Sequence, residues 1–243
     1  MVPDKYTYLA LMLISLAYPL AQSFERRVFI WKRWPFMFPS ILITAAFFII
    51  WDIFFTISGV WSFNPKFVSG IYLIKMPIEE WLFFIIVPYC CFFVYFVSNY
   101  YIKRDLLGPY QRKITLFFAI ITGIIGIIYF NRWYTAVASL ASSVLLFYFY
   151  FFTKVKWLGR FFIGYFFSLI PFLMVNGILT AWPVVEYNDA ENLGIRIFID
   201  GWANIPIDDT IYCLLLLLMN ISLYHYFENR AGVNLPITKD QFI

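Results

Sequence analysis

Pro77-Ile78-Glu79-Glu80-Trp81-Leu82-Phe83-Phe84 opens one long apolar run, and Ile205-Pro206-Ile207-Asp208-Asp209 opens another. In each, a proline is followed two and three residues later by adjacent carboxylates. The runs behind them, residues 81–101 and 210–227, are nearly free of charge. Each is close to the ~20 residues a helix needs to cross a hydrocarbon core. A chain that is 63% hydrophobic and 13% charged has few ionisable groups to place near lipid. A duplicated pair of acids at the edge of that lipid therefore points to proton chemistry or ion handling.

Outward from these motifs the same apolar texture recurs, at residues 6–24, 38–58, 114–130, 135–152 and 161–181. With 30 Phe, 18 Tyr and 9 Trp and a mean hydropathy of +0.77, the chain lies well outside the composition of soluble domains. Runs such as 147–152 and 214–219 are apolar at every position, whereas the strands of a membrane barrel alternate. The fold expected is all-α and polytopic, with seven transmembrane helices.

Cytoplasmic loops are enriched in Lys and Arg. The connections after the first, third and fifth helices and the C-terminal tail, which includes Lys239, hold 13 of the 18 basic residues. The opposite side has Lys5, Lys66, Lys75, Arg132 and Arg196. This split predicts a multi-pass protein of the cytoplasmic membrane with its N-terminus outside, its C-terminus inside and both acid motifs on the outer side. The net charge of +4 follows from the same bias and calls for no nucleic-acid partner. Asp4 beside Lys5 leaves the first segment without a basic leader, and Arg26 and Arg27 follow it, so it reads as an uncleaved helix. Cys90, Cys91 and Cys213 lie inside helices with no metal or redox spacing and read as small packing residues. The single His225 reads as a structural hydrogen-bonding group, and no metal site is expected.

Shifting the chain by 124 residues sets Asp52-x3-Thr56 on Asn176-x3-Thr180, and with five further residues Pro77 meets Pro206. Two parallel three-helix repeats, 5–101 and 133–230, are expected, joined by a linker helix within 102–132 that restores the orientation. Sites in such repeats commonly lie between the halves, here in one cavity bounded by the second, third, sixth and seventh helices. Ala138, Ser139, Ala141, Ser142 and Ser143 suit close helix packing. The loop 183–204, with Glu186, Asp189, Glu191 and Asp200, reads either as a lid or as a solvated loop.

For one such motif, capping is the simple reading, since proline suits a helix start and acids gain from the helix dipole there. Duplication, and two acids where one would cap, favour a functional role for Glu79, Glu80, Asp208 and Asp209. Neighbouring helix positions differ by about 100°, so one acid of each pair can face the cavity while the other faces a partner or the interface. Phe83, Phe84 and Tyr212 lie a turn away or less. Against such walls, and beside a second carboxyl, one acid of each pair is expected to stay protonated near neutral pH and to act as a general acid. Asp52, within the second helix, is either functional or the partner of its repeat mate Asn176 in a bond between helices. Aromatic faces also stabilise cations, which suits protonation of an alkene through a carbocation.

These residues resemble a known group. Trp51-Asp52, Gly59-Val60-Trp61-Ser62-Phe63-Asn64, Gly70-Ile71 and the Pro77 motif are similar to the first half of the membrane-integral lycopene cyclases. Val175-Asn176-Gly177-Ile178-Leu179-Thr180, Tyr187-Asn188 and the Pro206 motif resemble the second half. The resemblance covers nearly the whole chain and implies the fused form of a two-unit enzyme whose Pro-x-Glu-Glu/Asp acids are catalytic. Asp208 departs from the usual first Glu of that pattern, which favours Glu79 and Glu80 as the stronger pair. Implied is a redox-neutral cyclisation of lycopene, or a related linear carotenoid, to β-carotene through γ-carotene, with membrane lipid and other carotenoid-pathway enzymes as partners. No cofactor is expected, and no strand–Gly-x-Gly-x-x-Gly–helix unit occurs. The rivals are a seven-helix solute transporter, disfavoured by apolar midplane positions, and another end-group enzyme such as a hydratase. A retinal-binding receptor would need a lysine in the last helix, and residues 210–227 contain none.

Overall fold

The computed structural model describes residues 4–197, 204–233 and 235. Asp200 and Lys239 lie outside the described residues. The helices are α1 (Thr7–Gln22), α2 (Trp34–Ile57), α3 (Ile78–Tyr101), α4 (Gln111–Ile128), α5 (Trp133–Phe152), α6 (Leu158–Ala181) and α7 (Asp208–Arg230). Among the described residues six stretches are long and apolar enough to cross a membrane: Ile30–Ile57, Ile78–Tyr101, Gly108–Ile128, Trp133–Phe152, Leu158–Ala181 and Asp208–Arg230. The seventh segment differs from the expectation. α1 has 16 residues, because Tyr6 belongs to a preceding 3-10 turn and the chain turns away after Gln22. Only its Tyr8 and Met12 are buried, and it packs against α3.

The outer faces of the helices are studded with exposed Leu, Ile and Phe, while an aromatic core runs through the centre. α4 lies closely along α5, α3 along α6 and α2 along α7. Small side chains make the first of these contacts possible. Gly126 faces Leu140, Gly123 faces Ser143, and the Ser143 hydroxyl donates to the Ala119 carbonyl at 2.7 Å. At the end away from the acid motifs, a buried polar knot ties α3 and α7 to the start of α2. Arg33 Nη1 donates to the Tyr224 hydroxyl at 3.0 Å, which donates to Glu228 Oε1 at 3.0 Å. His225 bonds the Tyr95 hydroxyl at 3.0 Å.

The connections at the acid end are not simple loops. Strand β1 (Trp61–Phe63) pairs antiparallel with β4 (Val185–Tyr187), and two hairpins form from β2 (Tyr72–Leu73) with β3 (Met76–Pro77) and from β5 (Arg196–Ile197) with β6 (Ile205–Pro206). Trp61 pairs with Tyr187 and Phe63 with Val185. Phe63 and Tyr187 stand 124 apart in sequence, as do Trp61 and Val185, so the pairing has local two-fold symmetry about Ser62 and Glu186. The flanking bonds obey the same operation. Asn64 N–H donates to Val184 at 3.0 Å and Asn188 N–H to Val60 at 2.9 Å; Val60 N–H donates to Phe55 at 3.0 Å and Val184 N–H to Leu179 at 2.9 Å.

Candidate functional site

Both prolines end a strand just before their helix. Pro77 caps α3 with an extended backbone, φ −65° and ψ 147°, and Pro206 precedes the cap residue Ile207 of α7. Each acid pair thus falls in the first turn of its helix, where backbone N–H groups lack helical partners and the dipole favours negative charge.

The two members of each pair face different ways. Glu79 is fully buried, and its Oε1 accepts the Ser69 N–H at 2.7 Å. Asp208 does the same in the other half, where its Oδ2 accepts the Leu193 N–H at 3.1 Å and its Oδ1 accepts the Thr135 hydroxyl. These first acids hold the loops. Glu80 and Asp209 turn inward and line one cavity of about 40 Å³ together with Asp52, Asn176, Phe83 and Tyr212. Phe84 is buried outside it, its ring 6.0 Å from that of Phe48.

The sequence reading missed the phenols. The Tyr8 hydroxyl donates to Glu80 Oε2 at 2.5 Å, and the Tyr134 hydroxyl donates to Asp209 Oδ1 at 2.6 Å. Each comes from the first helix of its half, reaching the second acid of the local pair. Asp209 Oδ2 also receives the Tyr187 hydroxyl at 3.1 Å and the Asn176 amide at 2.9 Å. Asn176 therefore bonds α7 rather than Asp52. Burial first, and then the neighbouring Asp209 carboxylate, push the Tyr187 phenol well above its ordinary value, so it stays an O–H donor. Tyr8 and Tyr134 are each the second residue of the first helix of their half, with the backbone N–H on the carbonyl of a repeat-related residue, Phe67 at 3.1 Å and Glu191 at 2.9 Å, but the 124-residue shift sets Tyr8 on Arg132, so the match was not visible in the sequence.

Trp61, Phe63 and Phe172 complete the aromatic wall of the cavity. Among the described residues no Lys, Arg or His lines it, and the partners seen for Glu80 and Asp209 are hydroxyl and amide groups. Asp52 is 2% exposed, and its Oδ2 has no hydrogen-bond partner among the described residues. Among the described residues no group of His, Cys, Asp and Glu is placed to hold a metal ion. The described part of the loop read as a possible lid makes several contacts. Glu186 lies opposite Ser62, Arg196 pairs with Asp189, and Glu191 Oε2 accepts the Trp133 N–H at 2.9 Å.

Compared with protein families, the model described as lycopene cyclase matches residues 5–98 and again 131–227. The chain belongs to the lycopene cyclase family. Its two matched segments are the two halves whose loop hydrogen bonds coincide, and the lycopene cyclase match omits α4 from residue 111 to 128. No curated protein and no solved structure matches the chain. As a lycopene cyclase family member it is an enzyme of carotenoid cyclisation, with a linear carotenoid as substrate in a membrane setting.

Proposed function

We propose that the protein is a lycopene β-cyclase that closes both ends of lycopene to β-ionone rings, yielding β-carotene through γ-carotene as a redox-neutral isomerisation. The observation that carries this reading is the convergence of one acid from each half, Glu80 and Asp209, on an aromatic cavity that, among the described residues, no Lys, Arg or His lines. A carboxyl group buried without a counter-charge and with few donors around it, as Glu80 is, is better tolerated as the neutral acid. That neutral acid is the reagent an unactivated alkene requires. Protonation of the terminal double bond gives a tertiary cation, an internal double bond attacks it to close the ring, and loss of a ring proton regenerates an alkene. Trp61, Phe83, Phe172 and Tyr212 present π-faces that favour such a cation over bulk water.

The architecture belongs to the same proposal. Three-helix units 5–101 and 133–230 flank the linker 102–132, α1 is a seventh span extended by its 3-10 turn, and the acid end faces outward from the cytoplasmic membrane. The parent chain expressed in a lycopene-accumulating bacterium is expected to yield cyclic carotenes on pigment analysis. Unchanged lycopene beside well-expressed protein would overturn the reading.

A further inference from the structure

We propose that the two halves of the cavity do opposite work: Asp52 and Glu80 hold the proton delivered to substrate, while Asp209 is a fixed carboxylate that faces the cation and removes the ring proton. This rests on the cyclase reading above.

The argument begins with the repeat. Both second acids receive a phenol from the first helix of their half, Tyr8 on Glu80 and Tyr134 on Asp209. Beyond that shared bond the halves part. Asp209 takes two more donors, Tyr187 and Asn176, and three donated hydrogen bonds favour a carboxylate. Their repeat mates across the 124-residue shift are Phe63 and Asp52, which line the same cavity beside Glu80. Phe63 has no hydroxyl to donate. Asp52 can donate only when it carries a proton, and its buried Oδ2 has no partner among the described residues. Two of the three donors that would hold a carboxylate have thus been replaced, one by a phenyl ring and one by a second acid. Asp52 and Glu80, two carboxyl groups buried on the same side of the cavity with few donors, do not both ionise, as in paired-acid sites generally. The first half therefore stores a proton, and the second stores a charge.

The step balances. With Tyr8 on Oε2, Glu80 carries its proton on Oε1, and that O–H bond breaks as a C–H bond forms on the terminal alkene. The internal alkene supplies the electron pair of the new ring C–C bond. A ring C–H bond then breaks, its electrons form the ring double bond, and the proton goes to an oxygen of Asp209. One proton enters and one leaves, with no change of oxidation state. Return of the proton from Asp209 to the Asp52–Glu80 pair readies the site for the next end group.

Asp52 is a positioning residue here, acting through Glu80, and the test separates this from a structural role. In membranes where the parent cyclises lycopene, Asp52→Asn, nearly isosteric, is expected to lower kcat about 100-fold with KM and melting temperature held, in the range a general acid contributes. Phe63→Tyr, which restores a donor hydroxyl beside Glu80, should lower kcat about 10-fold without unfolding. Asp209→Asn should still consume lycopene but release hydrated or double-bond-shifted end groups, because the cation forms and its proton has no acceptor. Tyr187→Phe, which removes one donor from Asp209, should show the same product shift in milder form. Parent-like kcat in both Asp52→Asn and Phe63→Tyr, or unconsumed lycopene and no by-products in both Asp209→Asn and Tyr187→Phe, would overturn the division of labour. A parent inactive on lycopene would instead sink the cyclase reading itself.

Discussion

Glu79 and Glu80 are chemically the same side chain one position apart, and the fold gives them unlike surroundings. Glu79 accepts a backbone N–H from the loop that covers the site, so its carboxyl group works as a staple. Replacing it by Gln keeps an acceptor, so Glu79→Gln should retain at least about a third of parental activity. Glu79→Ala should cost about 1–3 kcal/mol, the range for a buried donor left without its partner, here the Ser69 N–H. Glu80→Gln should lower turnover about 100-fold with the melting temperature nearly unchanged. Pigment turnover and thermal unfolding in detergent check both; the opposite ranking would mean that the acids have exchanged roles. The sequence showed that the acids come in pairs at two helix starts, because proline, adjacency and duplication are local facts. Which member faces the cavity depends on where Ser69 and Leu193 pass, and that is set by hairpins whose pairing no local pattern announces. The phenols were hidden for the same reason, since Tyr8 lies 72 residues from Glu80 and is one tyrosine among 18.

At the scale of elements, the long spans were legible because apolar length alone decides them, and the small residues of α5 marked a close contact. Their partner was not marked. Gly126 on α4 lies so near α5 that an added Cβ would stand 2.7 Å from Leu140 Cγ and 3.1 Å from its backbone nitrogen. A side-chain tip could swing away, whereas the backbone nitrogen moves only with the helix. Gly126→Ala should therefore destabilise the protein by about 1–3 kcal/mol, as overpacking does. Its expected readout is a lower midpoint of thermal unfolding with kcat per folded molecule unchanged, since α4 contributes nothing to the cavity lining. The strand pairing of β1 with β4 went unforeseen for the opposite reason. Three residues are too few for a visible alternation, and the strands belong to different halves of the chain. Yet that pairing carries Phe63 and Tyr187 to the cavity rim, so the asymmetry of the site depends on the least legible element.

For the whole molecule, the cavity sits at one end of the helices and the greater share of basic residues at the other. A volume of about 40 Å³ has room for a water or two rather than for a terpenoid end group, so the proposed cyclisation requires side chains of the cavity wall to move aside for substrate. On the proposal that the acids generate a carbocation, the strand clasp over them has the role of keeping bulk water from capturing it. That role requires the acid end to lie at one membrane surface and the basic loops at the other. Ile71, 59% exposed in the acid-end loop, and Lys113, exposed at the start of α4, report the two sides. In a chain whose three native cysteines are replaced by alanine or serine and which still cyclises lycopene, a membrane-impermeant maleimide should label Ile71→Cys in intact cells. Lys113→Cys should be labelled only after the cells are opened. The reverse pattern would place the acids on the cytoplasmic side and contradict the distribution of Lys and Arg. Labelling of both positions in intact cells would show that the chain does not separate its ends across a sealed bilayer, and the water-excluding role of the clasp would fall with it.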